Sequence, residues 1–103
     1  MNIYELENNA SAAIGNMDQD SLECVVVSRI WNNAMNVRWL VSKRNNRGGN
    51  KPSKYMIREA ISVVQEGIRI FKASGEPWNS MLPKEVQDYA RACIAEGREE
   101  LAR

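Results

Sequence analysis

The stretch from Ser53 to Gly75 constrains this chain more than any other. Ile57, Ala60, Ile61, Val64, Ile68 and Phe71 recur every three or four residues, the spacing that lines one face of an α-helix. Ser53 is a good N-cap, because its hydroxyl accepts from the free N–H groups of a first turn. Gly75, with Pro77 beyond it, marks the stop. A helix over Lys54 to Ala73 with a single apolar stripe must bury that stripe, so the rest of the chain has to supply its partners.

Three other segments read as those partners. Ile3, Leu6, Ala10, Ala13 and Ile14 give a short N-terminal helix over Asn2 to about Ile14, ending near Gly15. Asp20-Ser21-Leu22-Glu23 has the pattern of a capping box with Asp20 as the cap. Leu22, Val26, Ile30, Ala34, Val37 and Val41 then share one face, with Trp31, Met35 and Trp39 in a second apolar line beside it. Pro83 opens a last helix, in which Val86, Ala90, Cys93, Ile94 and Leu101 face inward. An alternative reading makes residues 24–42 a β-hairpin, since Val25-Val26-Val27 and Val37 to Val41 are β-prone and Asn32 to Asn36 is Asn-rich. The cap and the unbroken stripe favour helix.

The expected fold is therefore all-α, a small helical domain of three main helices plus a short N-terminal one. Its alternative is an α+β fold with the hairpin at about 24–42. The 103 residues suit one domain, 1–103, interrupted by a basic, Gly-containing loop at 43–53.

Charge is unevenly distributed. Residues 1–42 carry two bases and five acids, residues 43–58 six bases and no acids, and residues 59–103 six bases and eight acids. The near-neutral total hides one basic patch, and a patch recruits a polyanion more effectively than a total does. Lys43, Arg44, Arg47, Lys51, Lys54 and Arg58 form that patch. Lysines and arginines neutralise phosphates and release their counterions, so such a cluster can dominate affinity without reading bases. On the following helix, Lys54, Arg58, Gln65, Arg69 and Lys72 fall on one side, and Arg69 and Lys72 extend the track. Gly48 and Gly49 permit close backbone approach, and Asn45, Asn46 and Asn50 are neutral donors suited to phosphate or base edges. The RGGNKPS run lacks the spacing of a phosphate-binding P-loop. The plain reading of the same stretch is a solvated connector.

The tryptophans supply a second candidate surface. Trp31, Met35 and Trp39 lie at helical spacing, as core residues do, or form the seam of a dimer or partner site; Trp78 follows Pro77 and either plugs the core or anchors a partner.

Catalysis finds little support. The chain has no histidine, which removes the commonest general base and metal ligand. Its acids are scattered, and Tyr4, Tyr55 and Tyr89 have no activating neighbour in sequence. Cys24 and Cys93 are far apart, in no metal or redox motif, and read as reduced core thiols. No enzyme activity, cofactor or metal is expected. No apolar run approaches the ~20 residues of a membrane span, and the acidic start MNIYELENN is unlike a signal peptide, so a cytoplasmic location without membrane contact is expected.

The expected function is non-enzymatic binding of nucleic acid or a nucleoprotein complex through the basic loop and helix face. The alternative is a protein-binding adaptor or inhibitor, of the compact kind that viruses and mobile elements encode, which occludes a host complex or homodimerises through Trp31, Met35 and Trp39.

Overall fold

A computed structural model describes residues 1–103, the side chain of Asn79 excepted. The chain forms α1 (Ile3–Gly15), α2 (Leu22–Arg44), α3 (Lys54–Ala73), a single turn α4 (Trp78–Met81) and α5 (Lys84–Ala102). No strand occurs among the described residues. The three main helices and the short N-terminal one stand as expected, and the hairpin alternative for 24–42 does not. Val25 to Val27 and Val37 to Val41 lie inside α2, because periodic burial of Val27, Ile30, Ala34, Val37 and Leu40 overrides their local β preference.

Side-chain caps set the helix starts. Asn2 accepts from the Glu5 N–H at 3.0 Å, and Ser53 accepts from the Met56 N–H at 3.3 Å, as the sequence suggests for α3. For α2 the cap is Ser21, which accepts from the Cys24 N–H at 3.1 Å, rather than Asp20. The reason is local: the Asp18 carboxylate accepts from the Asp20 N–H at 3.1 Å and closes a turn that leaves Asp20 outside the helix.

The inward stripe of α2 is rotated from the expected one. Cys24, Val27, Ile30, Ala34, Val37 and Leu40 are buried, whereas Leu22 is 63% exposed and Val26 and Val41 are half-buried. The apolar arc is wide enough to allow either rotation, and contact with two helices at once selects this one: α2 packs against both α3 and α5.

Helix α5 is the centre of the bundle, touching α1, α2 and α3. Val86, Tyr89, Ala90, Cys93 and Gly97 are buried along it. Gly97 lets α5 approach closely, since a Cβ there would lie 2.8 Å from Val37 Cγ1 and 2.9 Å from Ile61 Cδ1. The molecule measures 44 × 25 × 24 Å, so its long helices leave long flanks at the surface. No helix among the described residues is long and apolar enough to cross a membrane.

Candidate functional site

Loop 45–53 joins the end of α2 to the start of α3. Gly48 and Gly49 both take positive φ, 84° and 74°, in open space, so the turn depends on two successive left-handed residues that favour glycine. Arg44 donates to the Pro52 carbonyl at 3.0 Å and pairs with Glu100 at 3.3 Å. Asn45 donates to Glu100 at 3.2 Å, and Arg103 pairs with the same carboxylate at 3.3 Å. Glu100 is only 5% exposed, so these donors replace the water that a buried carboxylate would otherwise lack. Lys54 donates to the carbonyl of Leu101 at 3.4 Å and to that of Arg103, at the negative end of the α5 dipole. Arg44 and Lys54 thus tie the loop and α3 to the end of α5.

The remaining bases of the patch face solvent. Lys43 lies over the Trp39 ring, 5.6 Å from its centroid, and Arg47, Lys51 and Arg58 are exposed without an ion-pair partner among the described residues.

On α3, the flank carrying Arg58, Gln65, Arg69 and Lys72 turns toward α5. There Gln65, Ile68 and Arg69 form a shallow cleft of about 360 Å³ with Arg91, Ile94 and Arg98. The isoleucines make the floor, and the arginines flank it. Arg69 is held by Glu66, and Arg91 approaches Asp88 at 3.9 Å, whereas Arg58, Lys72 and Arg98 have no acid partner among the described residues. From Arg58 to Lys72 the flank runs about 21 Å at the helical rise. Arg91 and Arg98 are absent from the sequence reading. Their spacing of seven residues marked one face of α5, but only packing assigns that face to α3.

The aromatic residues divide. Trp31 is half-buried, with its ring centroid 6.3 Å from that of Tyr89, and its buried Nε1–H has no partner. Met35 is half-buried on the same flank, and Trp39 is 55% exposed. Trp78 packs edge-on against Phe71 at 5.8 Å, placing it as a half-buried cover over the end of the core.

A second cleft, of about 400 Å³, opens between α1, α2 and α5 beside Tyr4, Met35, Arg38, Trp39, Tyr89 and Glu96. Arg38 pairs with Glu7 at 3.3 Å and Glu96 at 3.6 Å, donates to the Tyr89 hydroxyl at 3.4 Å, and sits 5.2 Å from the centre of the Tyr4 ring. Burial works against the Arg38 charge, but the Tyr89 hydroxyl and Glu96 outweigh it and raise its pKa. Burial pushes the Tyr89 hydroxyl well above its ordinary value despite Arg38, and pushes the Cys93 thiol up to about 12. Both groups are therefore neutral near pH 7 and poorly suited to act as base or nucleophile. The charges of this cleft compensate one another, whereas those of the α3/α5 cleft do so only in part.

Compared with protein-family models, curated proteins and solved structures, the chain matches none of them significantly.

Proposed function

We propose that the protein is a non-enzymatic binding protein that engages nucleic acid, alone or within a nucleoprotein complex, through the α3/α5 flank and the loop beside it. The observation that carries this reading is the uncompensated charge of that surface: Arg58, Lys72 and Arg98 lack acid partners among the described residues, and Arg47 and Lys51 continue the exposed basic surface at the loop. Lys43, Arg69 and Arg91 add to it. Arg44 and Lys54 contribute by holding the loop and the groove end in place. A phosphate backbone laid along the flank meets a base on either side and an apolar floor at Ile68 and Ile94, where the sugar or base face can rest. Specificity for sequence is low, because the donors are long cations that favour phosphate over base edges.

The test is the salt dependence of binding to labelled single-stranded and duplex DNA and RNA, with Arg58→Glu/Lys72→Glu/Arg98→Glu as the comparison. Four or so phosphate contacts on a duplex predict that a fourfold rise in salt weakens binding by roughly 10²-fold, and that the variant flattens this slope. Absence of binding at low salt, or a variant that binds like the parent, rejects the proposal and turns attention to the protein-binding adaptor reading, which draws on the Trp31, Met35 and Trp39 face of α2.

A further inference from the structure

The opposite flank of α3 carries a different surface. Met56, Val63 and Ile70 repeat at seven-residue spacing and are 47%, 50% and 52% exposed, with Glu59 and Glu66 alongside. Next to them, Leu22, Val25, Arg29, Asn32, Asn36, Trp39 and Lys43 occur on α2 at alternating spacings of three and four, every one exposed. Spacing of this kind is that of a helix seam, in which residues of one helix insert between those of another. Most of the large exposed apolar side chains of the molecule belong to this one two-helix face. The acids lie on α3 and the bases on α2.

We propose that this face binds a second copy of the chain, forming a two-fold dimer in which α2 of each protomer lies antiparallel over α3 of its partner. The argument is one of register. Within a protomer α2 and α3 run antiparallel, with Ile30 level with Gly67 and Trp39 lining a common cleft with Glu59. A two-fold axis along the groove between the helices leaves height along them unchanged, so residues level within one copy are level across the interface. One copy's Arg29 then falls between Glu66 and Ile70 of the other, and Trp39 falls between Met56 and Glu59. Val63 falls between Asn32 and Asn36, and Ile70 between Val25 and Arg29.

Apolar residues thus meet apolar ones toward both ends, and base meets acid. A shift of one turn toward the C-terminus of α3 sets Arg29 beyond Ile70, and one toward its N-terminus sets Trp39 beyond Met56, so neither keeps both ends of the match. A face two helices wide and about 30 Å long measures about 600 Å² in plan, and its side-chain relief brings it near the ~800 Å² per partner of a standard interface. The dimer leaves the α3/α5 flanks at its two outer sides, so it neither requires nor blocks the nucleic-acid reading above.

Light scattering and sedimentation velocity on the full chain test it. At about 100 µM the wild type is expected at twice its 11.7 kDa mass. Trp39→Glu is expected to be monomeric there with unchanged helical circular dichroism, because Trp39 is 55% exposed already, its substitution leaves the core untouched, and the register sets the new carboxylate between Met56 and Glu59 of the other copy. Arg29→Glu is expected to weaken dimerisation at least tenfold. Adding Glu66→Arg is expected to recover most of that loss, in an Arg69→Gln background that removes the neighbouring cation. A wild type that stays monomeric at about 100 µM overturns the proposal and leaves the face to a different protein. A dimer that survives Trp39→Glu, or a charge swap that restores nothing, equally overturns it, and the swap decides the matter even if Trp39→Glu fails to fold.

Discussion

Gly97→Ala offers a direct test of how closely α5 packs. In most helices the change from glycine to alanine stabilises by up to about 1 kcal/mol, because alanine has less backbone freedom to lose on folding. At Gly97 the added Cβ would sit 2.8 Å from Val37 Cγ1, 2.9 Å from Ile61 Cδ1 and 3.2 Å from Ile61 Cγ1. Carbon atoms prefer about 3.5–4.0 Å, so both neighbours have to move by roughly 1 Å. Ile61 can swing its terminal methyl, but Val37 is fully buried and its branched side chain is stiff in a helix. Overpacking of this sort costs about 1–3 kcal/mol, which exceeds the gain in helix propensity, so a net loss of about 1 kcal/mol is expected. Gly67→Ala is the control: its Cβ would meet only Ile30 Cγ1, at 3.4 Å, so the propensity gain should survive. Urea unfolding followed by circular dichroism, at one protein concentration, should rank Gly67→Ala at or above wild type and Gly97→Ala below it. The gap between the two, about 2 kcal/mol, corresponds to roughly 1 M urea in midpoint. Equal midpoints for the two alanine variants would refute the close approach of α5 to α2 and α3.

Glu100→Gln should lower stability by about 1–3 kcal/mol, since it removes the charge that three donors surround at a buried site. Glu99→Gln, whose carboxylate is exposed, should leave the denaturation midpoint unmoved. The raised pKa values of Cys93 and Tyr89 fix the sign of an alkaline effect: the folded state keeps their protons while the unfolded state releases them. The associated stability is therefore complete below about pH 9 and lost as pH rises from 9.0 toward about 12 for Cys93 and upward from 10.0 for Tyr89. Unfolding midpoints measured across that range should fall more steeply for wild type than for Cys93→Ala.

Much of the fold was legible because helix signals are local. Ser53, the Ile57-to-Phe71 stripe and Gly75 describe α3 to the residue, since a cap, a stripe and a stop need only near neighbours. The start of α2 was displaced by one residue because Asp18, outside the apparent capping box, engages the Asp20 N–H. The rotation of α2 was less legible still. Its arc of Leu22, Val26, Trp31, Met35 and Trp39 holds more apolar residues than one face can bury, and only the positions of α3 and α5 decide which stay outside.

The candidate site follows the same division. The clustering of bases at 43–58 is visible in the linear chain, yet the ion pair that occupies Arg44 and the carbonyls that occupy Lys54 come from residues 100–103, and the cleft partners Arg91 and Arg98 come from α5. Arg38 and its acids lie on three helices, with no linear signal to join them. By itself the sequence determined where helices start and stop and how much of each is apolar, because backbone hydrogen bonding and capping act within a few residues. Tertiary structure alone decided which charges are compensated and which apolar side chains remain exposed, because burial and Coulomb interaction depend on distance through space rather than along the chain.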